Sequence, residues 1–308
     1  MKKIKWIVAF AFLALLIIVP NISKAADLGI QISPLSYNFE IEPGQSQEVK
    51  ITVTNTNITL LNYVVEIENF DQVNNEGAPS FSGTTSDSSV TSLKDWISIT
   101  DKSLAESTIS SKEAKTLTFD ISVPEGAEPG GHYAAIFVKE IKKNAEGKTE
   151  IGISSRVGAL VLVTVPGNLT KTAEITKFNP PKFVWHGPVK FDMTVKNTGT
   201  THYDSKSTVE LASMFGSKQI VELGLHTIIP KNERDYSGEW SNKYPFGYYK
   251  VKGIATDGDG NPVQAESVIW AIPLIIVIPV LVGLILLVWI ITYLGKHVKF
   301  VPNENSKK

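Results

Sequence analysis

Leu117-Thr118-Phe119-Asp120-Ile121-Ser122-Val123 decides the class of this fold. Apolar side chains stand at every second position and polar ones between them. Successive side chains of a strand point to opposite faces, so this stretch predicts a strand with one face in a core and one in water. The same period recurs on either side. Tyr37-Asn38-Phe39-Glu40-Ile41 alternates and is followed by a Pro43-Gly44 turn. Val49, Ile51 and Val53 share one face, and Leu61, Tyr63, Val65 and Ile67 share another. Val157 to Val165 is apolar nearly throughout, as a central strand is. Outside the two ends of the chain no amphipathic helix is evident. The predicted fold is all-β, with two immunoglobulin-like β-sandwiches in tandem.

An internal echo sets the division. Ile51-Thr52-Val53-Thr54-Asn55-Thr56-Asn57 is similar to Met193-Thr194-Val195-Lys196-Asn197-Thr198-Gly199. A Gly-x-Tyr follows each, as Gly131-His132-Tyr133 and Gly247-Tyr248-Tyr249. The first copy is longer, and residues 71–92, rich in Ser, Thr, Gly, Asn and Asp, account for most of the difference. They read as a long exposed loop, either functional or filler. The predicted sandwiches are 26–166, with loop 71–92 inserted, and 167–267. Val165-Pro166-Gly167-Asn168 is a short junction that restricts the angle between them. In the second, Val189, Phe191, Met193 and Val195 face a core, and Val209–Phe215 and Ile220–Leu225 form a hairpin about Gly216-Ser217. Trp185 and Trp240 are expected in that core.

The ends have another character. Lys2, Lys3 and Lys5 precede the apolar stretch Trp6–Val19, and Ser23-Lys24-Ala25 places small residues before a cleavage point. Residues 1–25 therefore read as a signal peptide cut between Ala25 and Ala26, an uncleaved anchor being the alternative. Val268–Leu294 carries no charge and exceeds the roughly 20 residues that cross a bilayer as a helix. Trp270 and Trp289 are placed as anchors at the two membrane interfaces. Residues 295–308 hold Lys296, Lys299, Lys307 and Lys308 against Glu304, a basic tail expected to stay in the cytoplasm. The localisation that follows is a single-pass cell-membrane protein with its bulk outside the cytoplasm. No LPxTG-like pentapeptide precedes the apolar run, so a retained anchor is favoured over a sorting signal.

Composition confirms that these parts differ. The 308 residues carry a net charge of -1. Without the lysines of leader and tail and without Glu304, 22 basic and 30 acidic residues remain, about -8 for the body. That removes the electrostatic case for nucleic acid. With no cysteine, disulfides, thiolate zinc sites and a Cys nucleophile are excluded.

The search for chemistry is negative. His132, His186, His202, His226 and His297 have no second His or carboxylate at metal-ligand spacing, and no hydrolase, P-loop or dinucleotide signature occurs. No catalytic residue, cofactor or metal ligand is assigned, and the chain is expected not to be an enzyme. Asp257-Gly258-Asp259-Gly260-Asn261 is weighed as a calcium loop. The EF-hand pattern fails at Pro262 and Val268, and a hairpin turn is preferred.

Several short motifs resemble those of a known family. They are the Glu42-Pro43-Gly44-Gln45 turn, Pro124-Glu125-Gly126 with Pro129-Gly130-Gly131-His132-Tyr133, Val195-Lys196-Asn197-Thr198-Gly199, Ile229-Pro230, and Phe246-Gly247-Tyr248-Tyr249. In motif and in layout the chain resembles the WxL-interacting proteins of Gram-positive bacteria. That resemblance implies a membrane-tethered module whose first domain contacts peptidoglycan and whose second contacts a partner surface protein. The expected function is a non-enzymatic, membrane-anchored envelope protein that binds or scaffolds surface components. The alternatives are a carbohydrate-binding or calcium-dependent adhesion module, and a hydrolase with dispersed residues.

Overall fold

The computed structural model describes residues 29–72, 74–81, 92–141 and 155–297. The signal peptide with its cleavage at Ala25 and Ala26, residues 73 and 82–91 of loop 71–92, and the tail beyond His297 lie outside the described residues.

The first half holds strands β1 (Ile30–Ser33), β2 (Ser36–Glu40), β3 (Ser46–Asn55), β4 (Leu61–Asn69), β5 (Asp71–Gln72) and β6 (Pro79–Ser80). It continues with β7 (Ile97–Ile99), β8 (Glu106–Ile109), β9 (Ala114–Ser122), β10 (Gly130–Glu140) and β11 (Arg156–Val165). The second half holds β12 (Ala173–Phe178), β13 (Phe183–Val184), β14 (Val189–Asn197), β15 (Tyr203–Ser213) and β16 (Lys218–Ile228). It ends with β17 (Glu233–Trp240), β18 (Gly247–Thr256), β19 (Pro262–Ala271) and the helix α1 (Leu274–His297).

Each half is two sheets closed on one apolar core. In the first, sheet β1-β3-β9-β7 faces sheet β2-β11-β10-β4-β8. The opening heptapeptide is β9 and its end. Leu117, Phe119 and Ile121 are fully buried and meet Val49, Ile51 and Val53 on one side and Tyr63, Ile136 and Val161 on the other. In the second, sheet β12-β14-β17 faces sheet β13-β19-β18-β15-β16 around Phe191, Met193, Val209, Tyr236, Trp240 and Val251. Each such large side chain removed from water contributes about 1.5–3 kcal/mol, which is how a chain without disulfides holds both cores.

The echo in sequence is a repeat in structure. Asn55 and Asn197 are both fully buried. Asn55 Nδ2 donates to the carbonyls of Thr59 and Ile109, and Asn197 Nδ2 to those of Thr201 and Ile228. Each Oδ1 accepts the amide two residues on, from Asn57 or from Gly199. Lys112 and Lys231, in the matching turns, share a positive φ of 62° and 65°. In both halves the first strand pairs antiparallel in one sheet, and the chain then crosses to pair parallel in the other, β2 on β11 and β13 on β19.

Three expectations are corrected. Trp185 is outside the core, 47% exposed. The two-residue strand before it turns Val184 inward, and the alternating period then sends Phe183 and Trp185 outward. The apolar span begins later than Val268. Val268–Ala271 completes β19, paired with Gly247–Lys250, and helix starts only at Leu274, after Pro273. Trp270 and Trp289 therefore do not share one helix. Last, residues 71–80 are not loose filler but a hairpin, β5-β6, laid against the second sandwich.

Candidate functional site

The two halves meet where the turn after Asn197 enters the end of the first sandwich. Gly131 N–H donates to the Thr200 carbonyl at 3.0 Å, and the Thr164 and Thr201 hydroxyls share a hydrogen bond of 2.9 Å. A buried triplet lies beside them. Tyr133 Oη stands 3.2 Å from His202 Nδ1, and His202 Nε2 stands 2.9 Å from Asn38 Oδ1. An amide oxygen only accepts, so Nε2 carries the proton and donates to Asn38, while Nδ1 accepts from the Tyr133 hydroxyl. The neutral ring thereby satisfies both partners. Burial holds the His202 pKa down to about 4, with Asp204 opposing and Lys171 assisting, and burial pushes the Tyr133 phenol up. Gly131 is required here, since a Cβ at that position would lie 1.9 Å from Tyr133 Oη.

The hairpin 71–80 straps the same joint from the side. Asp235 N–H, on the edge of the second sandwich, donates to the Asn75 carbonyl at 2.6 Å. Asn75 Nδ2 reaches Glu233 Oε2 at 3.2 Å, Asn232 Nδ2 reaches Asp71 Oδ1 at 3.1 Å, and Gln72 Nε2 donates to the Glu233 carbonyl. The strap covers an edge that would otherwise offer unpaired backbone groups. Its two ends are held by aromatics: Phe70 lies 5.7 Å from the Tyr133 ring, and Phe81 4.7 Å from that of Phe137. Arg156 sits 4.3 Å over Phe137 and pairs with Glu68 at 3.0 Å.

Strap and sandwiches border a half-open cavity of about 220 Å³, lined by Leu160, Leu162, Phe70, Pro79 and Ile229 together with Ser36, Asp71, Gln72 and Thr227. Ligand pockets commonly span about 300–1,000 Å³, so this one has room for a single apolar side chain. Beside the strap tip, Glu76, Lys177, Asp192, Arg234 and Asp235 line a larger, more polar hollow of about 420 Å³. The His226 pKa is lowered there by burial and by Arg234.

The residues singled out from sequence lie elsewhere. Trp270 sits in β19 with its ring 5.1 Å from Tyr248, and Trp289 stacks on Tyr293 in α1. Asp257 is occupied within its own turn, accepting from Asp259 N, Asn261 N and Asn261 Nδ2 at 3.0, 2.8 and 3.2 Å. Among the described residues no three His, Cys, Asp or Glu gather as a metal site. The stretch is the β18-β19 hairpin turn. His132 is buried against the carbonyls of Ser92 and Glu128, both at 3.1 Å. Sequence reasoning placed Tyr133 in a Gly-x-Tyr motif and Asn38 in a strand and named His202 among the histidines, but missed that the three converge.

No protein-family model and no curated protein sequence matches the chain. Solved structures do. The YadV chaperone is 14% identical over 78% of this chain and 98% of its own, with a TM-score of 0.38. A chaperone–tip adhesin complex of CFA/I fimbriae biogenesis gives 12%, 77%, 98% and 0.42. The SafB chaperone of Salmonella enterica in complex with SafA pilin gives 9%, 80%, 98% and 0.37. Identities this low bear on the fold alone.

These findings correct the resemblance to WxL-interacting proteins and the function drawn from it, a membrane-anchored scaffold for cell-wall polymer and surface components. Neighbours that cover more than three quarters of the chain include fimbrial chaperones. The physical reason is that the quoted motifs are sandwich grammar. Pro43-Gly44 is a turn with Gly44 at φ 79°, Gly247 opens a strand at φ 97°, and Asn197 is a buried corner. Any chain that folds into such turns needs such residues.

Proposed function

We propose that this chain is a non-catalytic protein that binds an extended segment of a partner protein at the cleft between its sandwiches. One apolar side chain of that segment fills the strapped cavity. The supporting observation is the cavity itself: Leu160 and Leu162 project from the outer face of β11, where an isolated sandwich would present polar groups, into a hollow capped by Phe70, Pro79 and Ile229. Beside it, β2 ends its sheet, so its outer edge offers backbone groups for strand addition. A tip adhesin accompanies the CFA/I chaperone and SafA pilin the SafB chaperone; for this chain a protein partner rests on the cleft. A non-catalytic role fits His202, both of whose nitrogens are engaged by Tyr133 and Asn38.

For location, we propose that α1 crosses a membrane with the sandwiches on the extracytoplasmic side. Leu274–Leu294 is 21 residues long and none of it is buried. At about 1.5 Å per residue it spans about 31 Å, the thickness of a bilayer's hydrocarbon. The lysines that follow set the orientation.

A photoreactive phenylalanine analogue at Leu162, and separately at Ile229, is expected to give one discrete covalent adduct with a polypeptide in cells. The same probe at Ser98, exposed on the far sheet, should give none. Absence of an adduct at both cleft positions, or an equal adduct from Ser98, overturns the assignment.

A further inference from the structure

We infer that the end of the second sandwich from which α1 leaves is a collar that beds in the headgroup layer of a lipid bilayer. This rests on α1 crossing that bilayer.

Four segments meet at this end: residues 179–188, 213–219, 241–248 and 270–273. The Trp270 N–H donates to Lys182, Ile272 N–H to Val184, Gly187 N–H to Lys243, and Met214 N–H to Tyr248. Across the outer face of the sheet, Phe183, Trp270 and Tyr248 stand in register on adjacent strands. Phe183 stacks on Trp185 and Phe215 on Phe246, each pair at 6.3 Å. Phe183, Trp185, Phe215 and Phe246 are 60%, 47%, 67% and 55% exposed. Isolated exposed apolar residues are ordinary, but a contiguous aromatic set marks a contact surface.

Position names the occupant. Only Ala271, Ile272 and Pro273 separate Trp270 from the first helical residue, so at about 3.3 Å per residue the aromatic row lies within roughly 13 Å of the helix start. Trp and Tyr are the side chains that suit the water–lipid boundary. Charge agrees. The body is acidic overall, yet these four segments carry Lys182, Lys218 and Lys243 and no Asp or Glu. Lys243 lies 5.4 Å from the Tyr244 ring centroid. Exposed basic and aromatic residues together fit anionic headgroups. The outer face then changes along the strands. Two rungs from Trp270, roughly 13 Å away, Lys252 pairs with Glu266 at 2.7 Å, as a wet surface allows.

The chain has no cysteine, so single labels test this in the full-length protein. Nitroxides are placed by Ser217→Cys and Ser241→Cys beside the aromatics, by Val282→Cys in α1, and by Asp259→Cys at the opposite end of the sandwich. The protein is reconstituted in vesicles of phosphatidylcholine and phosphatidylglycerol. Access to oxygen relative to a water-soluble nickel chelate should be several-fold higher at 217 and 241 than at 259, and below that at 282. The triple variant Phe183→Ser, Phe215→Ser, Phe246→Ser should return 217 to the value at 259 and leave 282 unchanged. Collar labels as wet as 259 beside a lipid-buried 282 overturn the collar while the span stands. Labels shielded from both reagents indicate a protein contact and overturn it also. A water-exposed 282 removes the span, and the collar with it.

Discussion

Replacing Asn197 by alanine is expected to cost the second sandwich about 3 kcal/mol, and Asn55→Ala the same in the first. Each side chain is fully buried and closes a corner that no backbone partner closes. Without Asn197, the Thr201 and Ile228 carbonyls and the Gly199 N–H lose bonds of 2.9, 2.8 and 2.8 Å in a place water does not reach. Each orphaned group carries a desolvation penalty of about 1–3 kcal/mol, partly relieved by relaxation. Asn197→Asp, nearly the same shape, should be at least as damaging at neutral pH, because it points a carboxylate oxygen at two carbonyl oxygens. Denaturant unfolding of the full chain in detergent, followed through the buried Trp240, checks this. A loss under about 0.5 kcal/mol for Asn197→Ala, within the range of surface substitutions, would show that the corner does not hold the fold.

Acid should loosen the joint through His202. Its folded pKa, about 4, lies below the ordinary 6.5, so the unfolded chain binds the proton more tightly. The stability linked to the neutral ring is complete above pH 6.5 and is lost as pH falls through about 4. The full difference is about 3 kcal/mol. Gln at this position does not titrate, yet still donates to Asn38 and accepts from Tyr133. Between pH 7 and 4 the wild-type protein should therefore lose about 3 kcal/mol more than His202→Gln. Parallel curves for the two proteins would mean that His202 is not held neutral at the joint.

The fold was largely legible and the cleft was not, for one physical reason. Strand alternation is a relation between neighbours in the chain, so β3, β4, β9 and β14 announce themselves. The Asn55 and Asn197 corners also repeat legibly, because each bonds two and four residues ahead of itself. Trp185 was misplaced although alternation about Val184 held the answer. By contrast, Tyr133 and His202 are 69 residues apart, and His202 and Asn38 are 164 apart. No local pattern relates them.

By itself the sequence determined an all-β chain with two repeats, an uncharged apolar stretch near its end and no cysteine to brace it. Those are properties of composition and period. Tertiary structure alone decided that Val268–Ala271 belongs to a sheet and not to the helix, since pairing with Gly247–Lys250 outweighs the apolar character shared by both. It alone turned residues 71–80 into a strap, through the open edge at Asp235, and seated a neutral His202 between Tyr133 and Asn38. A core is fixed by which residues avoid water, and that is written along the chain. A cleft is fixed by which surfaces meet, and that exists only once both sandwiches have formed.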